Sequence, residues 1–84
     1  MHDPNVDPVK GLLTYLASNL VDQPDRVSVT EIEGDSSITY EINVAPDDLG
    51  KVIGRQGRIA NALRTISKAG GGHDKRKVFV EIIA

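Results

Sequence analysis

Hydrophobic residues recur along the 84-residue chain with a helical period in some stretches and a strand period in others. Spacings of three and four residues are typical of an amphipathic helix, and strict alternation is typical of a half-buried strand. The first stretch predicts a helix over residues 8–21, because Asp7 is a good N-cap and Pro8 is tolerated at the first helical position. Its apolar stripe consists of Val6, Val9, Leu13, Leu16 and Leu20.

Two strands are predicted to follow as a hairpin. Residues 27–33 alternate poorly, which indicates a strand near the edge of a sheet, and residues 34–37 have the composition of a turn. Residues 38–44 alternate cleanly between apolar and polar side chains, which predicts a strand with one buried face. A last strand is predicted over residues 78–83, where apolar residues at nearly every position indicate burial on much of both faces.

A helical region interrupted by glycines lies between the hairpin and the last strand. Pro46 opens a second helix, which is short because Gly54 and Gly57 interrupt it within two turns. Helical spacing resumes at Arg58, and a run of three glycines at 70–72 ends this third helix. The predicted order of elements is therefore α-β-β-α-α-β. The apolar face of the third helix consists of Ile59, Ala62, Leu63, Ile66 and Ala69.

The two halves of the chain differ strongly in charge, although the formal net charge is only −2. Residues 1–49 contain ten acidic and two basic side chains, whereas residues 50–84 contain eight basic and two acidic ones. This asymmetry predicts an anionic partner for the second half. Mutual neutralisation of the two halves across the fold accounts for the charges equally well.

The composition is that of one small domain over residues 1–84, with residues 1–6 expected to be flexible. The absence of cysteine excludes disulfides and thiolate metal sites and indicates a cytoplasmic protein. No apolar run approaches the roughly 18 residues that cross a bilayer, so no membrane association is predicted. His2 and His73 are not spaced as metal ligands, and no activated nucleophile or acid–base pair suggests an enzyme. We therefore predict no metal, no cofactor and no catalysis.

The most informative segment is the joint between the second and third helices. Gly54 and Gly57 allow positive φ angles and the close approach of another backbone. The unsatisfied N–H groups at the start of the third helix point towards the same place. Arg55 and Arg58 add positive charge there. Together these features predict a cradle for a phosphodiester backbone, whereas a Gly-x-x-Gly motif alone is far more often only a tight turn between two helices.

Residues 52–59, with the sequence Val-Ile-Gly-Arg-Gln-Gly-Arg-Ile, resemble the signature of the KH domain, and the order of elements matches its type II, prokaryotic form. The longer run from Val44 to Ala60 is similar to that of the small stand-alone bacterial KH proteins of the KhpA type. The resemblance covers nearly the whole chain. It implies an α+β fold in which three helices cover one face of a three-stranded sheet, with residues 70–76 as a variable loop.

The resemblance also implies binding of single-stranded RNA without chemistry, by a loop that clamps about four backbone nucleotides. Arg55 and Gln56 would face the phosphates, although many such loops have a second basic residue where this chain has Gln56. Val52, Ile53 and Ile59 would form an apolar floor for the bases. The residues expected to contact RNA are Lys51, Val52, Ile53, Gly54, Arg55, Gln56, Gly57, Arg58, Ile59, Lys75 and Arg76.

Proteins of this type self-associate and pair with KhpB, a larger protein that joins a KH domain to a second nucleic-acid-binding domain. In some bacteria the pair is linked to RNA chaperoning and to control of cell elongation and shape. The resemblance therefore implies an RNA chaperone or post-transcriptional regulator that forms a homodimer or a heterodimer with a KhpB-type protein. The alternative is a protein-interaction adaptor whose KH loop mediates such contacts. An acidic substitution at Arg55 separates the two, because it would abolish RNA binding and spare a contact built on Ile53 and Ile59.

Overall fold

The computed structural model describes residues 8–70 and 77–84 of the chain. Within these residues the chain forms three α-helices and three β-strands, in the predicted order α-β-β-α-α-β. The helices are α1 (Pro8–Ser18), α2 (Leu49–Ile53) and α3 (Arg58–Gly70), and the strands are β1 (Ser28–Glu33), β2 (Ser37–Asn43) and β3 (Lys77–Ile83). Short 3₁₀ turns precede β1, α2 and α3, at Pro24–Arg26, Pro46–Asp48 and Arg55–Gly57 respectively.

The strands form one mixed sheet in the order β1-β2-β3, with β2 in the centre. β1 and β2 are an antiparallel hairpin, and the N–H of Gly34 donates to the carbonyl of Ser37 at 2.8 Å to close the turn. β3 runs parallel to β2 and pairs Val78 with Ile38. A parallel neighbour needs a crossover connection, and the chain through α2 and α3 provides it. The predicted hairpin and the edge position of β1 are confirmed.

The three helices cover one face of the sheet, and the hydrophobic core lies between the two layers. α1 contributes a side chain at every fourth position, as expected for a helix that turns one stripe towards a sheet. β2 contributes every second residue, which is the period of a strand with one buried face. The buried core residues of these elements are Val9, Leu13 and Ala17 of α1, Ile38, Tyr40 and Ile42 of β2, Val52 of α2 and Leu63 of α3.

The first helix is shorter than predicted, since α1 ends at Ser18 and not at residue 21. The N–H of Leu20 donates to the carbonyl of Ala17 at 3.0 Å, which is the three-residue spacing of a tightened last turn. The side-chain amide of Asn19 also donates to the carbonyl of Tyr15 at 2.7 Å and competes with the backbone ladder. Leu20 is consequently exposed and does not continue the buried stripe.

The prediction that the last strand is buried on much of both faces is wrong. In β3, Val78 and Val80 are buried, whereas Phe79 is 47% exposed and Ile83 is also exposed. The cause is the arrangement of the layers, because all three helices lie on the other face of the sheet. An apolar residue on the uncovered face stays in contact with solvent however hydrophobic the strand is. Ile32 of β1 is exposed on that face for the same reason.

The apolar face of α3 also differs from the prediction. Within residues 58–68, Leu63 and Ser67 are the buried positions, whereas Ile59 and Ile66 are half-buried and Ala62 is exposed. The side chain of Ala69, also predicted for this face, lies outside the described part of the helix. Ser67 is buried at no cost in unpaired groups, because its hydroxyl donates to the carbonyl of Leu63 at 2.8 Å. A serine paired in this way occupies a core position that the hydrophobic pattern does not reveal.

Several predictions concern residues that lie outside 8–70 and 77–84. These are the Asp7 cap, the flexibility of residues 1–6, the RNA contacts of Lys75 and Arg76, and the variable loop beyond Gly70. In the part of the chain that the structure describes, the longest apolar helix falls short of what a membrane span requires.

Candidate nucleic-acid interface

The joint between α2 and α3 has a backbone conformation that few residue types adopt. Gly54 has φ 77° and ψ 172°, a region open essentially only to glycine, and its N–H donates to the carbonyl of Gly50 at 2.9 Å. Gln56 has φ 57° and ψ 25°, and Gly57 has φ 73°. The N–H of Gly57 donates to the carbonyl of Gly54 at 3.2 Å, which closes the turn. Residues 54–57 therefore form a tight, left-handed loop, called the 54–57 loop below.

The two glycines of this loop have different surroundings. A Cβ atom built on Gly54 would lie 2.6 Å from Cγ1 and 2.9 Å from Cδ1 of Ile59, so the Ile59 side chain already fills that space. A Cβ atom built on Gly57 would meet no atom of the described residues within 4 Å, its two chain neighbours aside. The loop is thus packed against α3 on the side of Gly54 and open on the side of Gly57.

Positive charge is concentrated at this loop. Arg55 and Arg58 are exposed, and neither forms an ion pair with any residue of the described ranges 8–70 and 77–84. Arg58 is the first residue of α3, where the positive end of the helix dipole makes a cation unfavourable and an anion favourable. No acidic residue occurs between Asp48 and Asp74 to offset these charges. The arrangement is suited to an anionic ligand.

The apolar residues predicted as a floor lie at different depths. Ile53 and Ile59 are half-buried on either side of the loop, and Ile59 packs against the hydrophobic core. Val52 is fully buried, so it supports the floor from below and offers no surface of its own. The exposed apolar surface next to the loop therefore consists of parts of Ile53 and Ile59.

Lys51 has acidic partners in the fold, unlike the two arginines. Its Nζ donates to Oδ2 of Asp22 at 2.7 Å and to Oδ1 of Asp48 at 3.3 Å. The hydrogen bond to Asp22, together with that to Asp48, raises the pKa of Lys51 above its ordinary value. The charge of Lys51 is therefore largely compensated within the protein, although about half of its side chain is exposed.

Asp48 is an important residue that the sequence analysis missed. It is almost fully buried, and its carboxylate accepts hydrogen bonds from the backbone N–H groups of Asp22 at 3.2 Å and Gln23 at 3.1 Å. Burial alone would raise the pKa of Asp48, but these two bonds and the Lys51 ammonium outweigh it and lower the pKa. The carboxylate thereby ties the segment between α1 and β1 to the start of α2. The i, i+3 spacing of Asp48 and Lys51 was the only indication in the sequence.

The structure brings together the predicted site residues of one continuous stretch, 51–59. Lys75 and Arg76 lie outside the described residues. Lys77, which follows them, is the first residue of β3 and lies beside the β1–β2 turn, where its N–H donates to the carbonyl of Ser36 at 3.0 Å. Among the described residues, no cluster of three or more side chains could hold a metal ion.

Comparison with known proteins identifies relatives along nearly the whole chain. The family described as the KH domain of KhpA/KhpB matches residues 10–82. A Clostridium acetobutylicum protein named RNA-binding protein KhpA is 53% identical over 75 residues, which cover 89% of this chain and 100% of that protein. A protein of the same name from Caldanaerobacter subterraneus is 56% identical over 72 residues, which cover 86% of this chain and 96% of that protein. Another from Aquifex aeolicus is 49% identical over 75 residues, which cover 89% of this chain and 95% of that protein.

Proposed function

The chain belongs to the KhpA/KhpB family of KH domains, and on that premise we propose that it binds single-stranded RNA without catalysis. The observation that supports this most strongly is the 54–57 loop. Its backbone is open on the side of Gly57, it contains the exposed Arg55 and is followed by the exposed Arg58, and no acidic residue is nearby in the chain. The phosphates of an RNA backbone are negatively charged and regularly spaced, so they can approach the exposed backbone and the arginines of this loop.

Each residue of the loop region has a separate role in this proposal. Arg55 and Arg58 contact phosphates, and the exposed Gln56 donates from its amide to the same backbone. Bases rest on the exposed parts of Ile53 and Ile59. Lys51 remains a predicted contact, and we expect its contribution to be small because its ammonium already has two carboxylate partners. Lys75 and Arg76 remain predicted contacts.

Affinity for a single RNA segment should be modest, because no aromatic residue lies in the loop or in α2 and α3. Tyr40 is buried in the core, Tyr15 is on α1, and Phe79 is on the uncovered face of the sheet. Base stacking on an aromatic ring, worth about 1–3 kcal/mol per base, is thus missing at the loop. Joining two modules would raise the effective concentration of the second site without any new contact.

This need for a second module supports a dimer, and the resemblance to the small bacterial KH proteins is what supports the finer roles that we propose. They are those of an RNA chaperone or post-transcriptional regulator in the cytoplasm, with an influence on cell shape. The chain would act as a homodimer or with a larger partner of the KhpB type. The adaptor function is the second candidate, since the half-buried Ile53 and Ile59 also offer an apolar contact surface.

An NMR titration tests RNA binding directly. Labelled protein is titrated with a short random single-stranded RNA, and the backbone amides of residues 51–60 are followed. We expect shifts concentrated in these amides, and their loss in the double variant Arg55→Asp, Gln56→Asp with the rest of the spectrum unchanged. Both substitutions place a negative charge on exposed side chains, so the fold should not be affected.

The same titration separates the two candidate functions. If the amides of residues 51–60 do not move with RNA but broaden as protein concentration rises, RNA binding is rejected and the adaptor function is favoured. Recovery of the RNA at its original length after the titration is expected for a protein without nuclease activity, and shortened RNA would contradict the non-catalytic proposal.

A further inference from the structure

The two glycines of the 54–57 loop differ in what occupies the position where other residues have a Cβ atom. On Gly54 the missing Cβ makes room for Ile59, whose Cβ, Cγ1 and Cδ1 all lie within 3.0 Å of the built position. On Gly57 the corresponding space contains no protein atom within 4 Å among the described residues other than its two chain neighbours. The first space is internal to the protein, and the second is available to a ligand.

Gly54 is fixed by two independent constraints. Its φ and ψ angles lie in a region that L-residues essentially do not adopt, and the Ile59 side chain fills the space that a Cβ atom on Gly54 would need. Ile59 is itself held by the core, so it cannot easily yield. The contact links the loop to the first turn of α3 and determines where the loop lies relative to the helix start. Gly54 is thus explained by the packing of the protein, without a ligand.

Gly57 is not explained by packing. Its positive φ favours glycine, but Asn would also tolerate a left-handed backbone, and there is room for a side chain. Arg55 and Arg58 lie on either side of this open position in the sequence, and both are exposed. The open face of Gly57 therefore offers a phosphate close access to the backbone, at a position that lies between two exposed arginines in the sequence.

We propose that the two glycines have separate functions, with the RNA phosphate lying over Gly57 and with Gly54 acting as a positioning residue locked by Ile59. The inference rests on the proposed RNA binding, and it adds which of the two glycines the ligand needs. A side chain at position 57 occupies the space of the phosphate. A side chain at position 54 collides with Ile59 and moves the loop.

The first test measures RNA affinity for variants at Gly57, using the fluorescence anisotropy of a labelled eight-nucleotide single-stranded RNA of mixed sequence. Gly57→Ala alone is ambiguous, because it adds both a methyl group and backbone strain. Gly57→Asn removes the ambiguity, since Asn is among the L-residues that best tolerate this φ but has the larger side chain. Gly11→Ala on α1 is the matched control, because its Cβ would also meet nothing within 4 Å.

We expect both Gly57 variants to bind at least about fivefold more weakly than the wild type, and Gly11→Ala to bind within about twofold of it. Binding of Gly57→Asn within about twofold of the wild type would show that only strain matters at position 57, and would overturn the proposal. If the wild-type protein itself shows no salt-dependent binding, the proposed function fails as well, so the two failures are distinguishable.

The second test uses urea unfolding and needs no RNA. Gly54→Ala, Ile59→Ala and the double variant form a cycle that isolates the contact between the two residues. We expect Gly54→Ala to destabilise the wild type far more than it destabilises the Ile59→Ala variant, by a coupling of about tenfold in the unfolding constant. Additive effects would show that Ile59 does not lock Gly54, and this result stands even if a Gly57 variant fails to fold.

Discussion

Gln56 has a backbone conformation that its side chain does not favour. In the described residues it is the only non-glycine residue with a positive φ, and it lies between two glycines that also have positive φ. The left-handed region brings the Cβ of an L-residue close to its own carbonyl oxygen and costs roughly 1–2 kcal/mol. A long amide side chain at this position therefore strains the loop, and the exposed position of the amide beside Arg55 is consistent with a role in ligand binding.

Replacement of Gln56 by glycine should stabilise the protein. Glycine removes the left-handed strain but increases the entropy of the unfolded chain, so we expect a net gain of about 0.5–1 kcal/mol in the free energy of unfolding. Urea unfolding followed by circular dichroism measures it. Gln56→Ala is the control, because alanine keeps the Cβ and should give no such gain. Equal stability of the two variants would contradict the left-handed conformation of this residue.

The chemistry of the loop could be predicted from the sequence, but its packing could not. The spacing of Gly54 and Gly57 and the neighbouring arginines predicted a tight cationic turn, because residue type alone determines backbone freedom and charge. The contact between Gly54 and Ile59 depends on the exact course of the chain through the 3₁₀ turn. The burial of Val52 could not be predicted for the same reason, because Val52 is apolar like Ile53 and yet is fully buried.

Asp48 joins elements of the fold that are distant in the sequence, whereas Gly54 fixes only the local course of the loop. Its carboxylate accepts hydrogen bonds from the N–H groups of Asp22 and Gln23, which belong to the connection between α1 and β1. It lies at the end of the 3₁₀ turn that leads into α2, and it also contacts Lys51 in that helix. One buried side chain thereby joins the connection between α1 and β1 to the start of α2, and the 54–57 loop follows directly after α2.

Replacement of Asp48 by Asn should weaken the fold and remove part of its acid sensitivity. Asn keeps one acceptor oxygen but turns an NH₂ group towards a backbone donor, so one N–H loses its partner. Burial opposes the ionisation of Asp48, but its hydrogen bonds hold the folded-state pKa below the ordinary value of an aspartate. Its stabilising effect is therefore complete above the unfolded-state pKa and is lost as the pH falls through the lowered folded-state pKa. Urea midpoints measured from pH 7 to pH 2.5 should therefore fall less steeply in Asp48→Asn.

Asp22→Asn is the matched control for that experiment. The Asp22 carboxylate is exposed and pairs with the Lys51 ammonium, which Asp48 also contacts. Exposed ion pairs of this kind contribute little to the free energy of unfolding. We expect its urea midpoints to follow those of the wild type across the pH range. If the urea midpoint falls as steeply towards low pH in Asp48→Asn as in the wild type, the role given to the buried carboxylate is contradicted.

The elements could be predicted from the sequence wherever local pattern decides, as in the hairpin and in the clean alternation of β2. Errors arose where distant parts of the chain decide. The exposure of Phe79 and Ile83 depends on which face the helices cover, and periodicity within β3 contains no information about that. The partners of Asp48 are 25 and 26 residues earlier in the chain, so no local pattern could indicate them.

At the scale of the whole molecule, a chain with net charge −2 can bind an anion because its charges are segregated. Residues 49–70, which contain α2, the 54–57 loop and α3, include five basic and no acidic residues. At physiological ionic strength the screening length is about 8 Å, so an approaching phosphate responds mainly to the charges of the nearest element. The acidic first half then limits non-specific attraction without cancelling the local field.

This segregation leads to a prediction for the salt dependence of RNA binding. If the protein contacts roughly three phosphates of a single-stranded RNA, a plot of log affinity against log salt concentration should have a slope of about −2. Arg58→Gln removes one of these contacts, so we expect weaker binding and a slope shallower by about 0.7. Arg26→Gln removes the same charge from the exposed turn before β1, in the acidic half, and should leave the slope unchanged. Anisotropy titrations at four salt concentrations measure all three proteins, and equal slopes for the two variants would mean that net charge, and not the 54–57 loop, attracts the RNA.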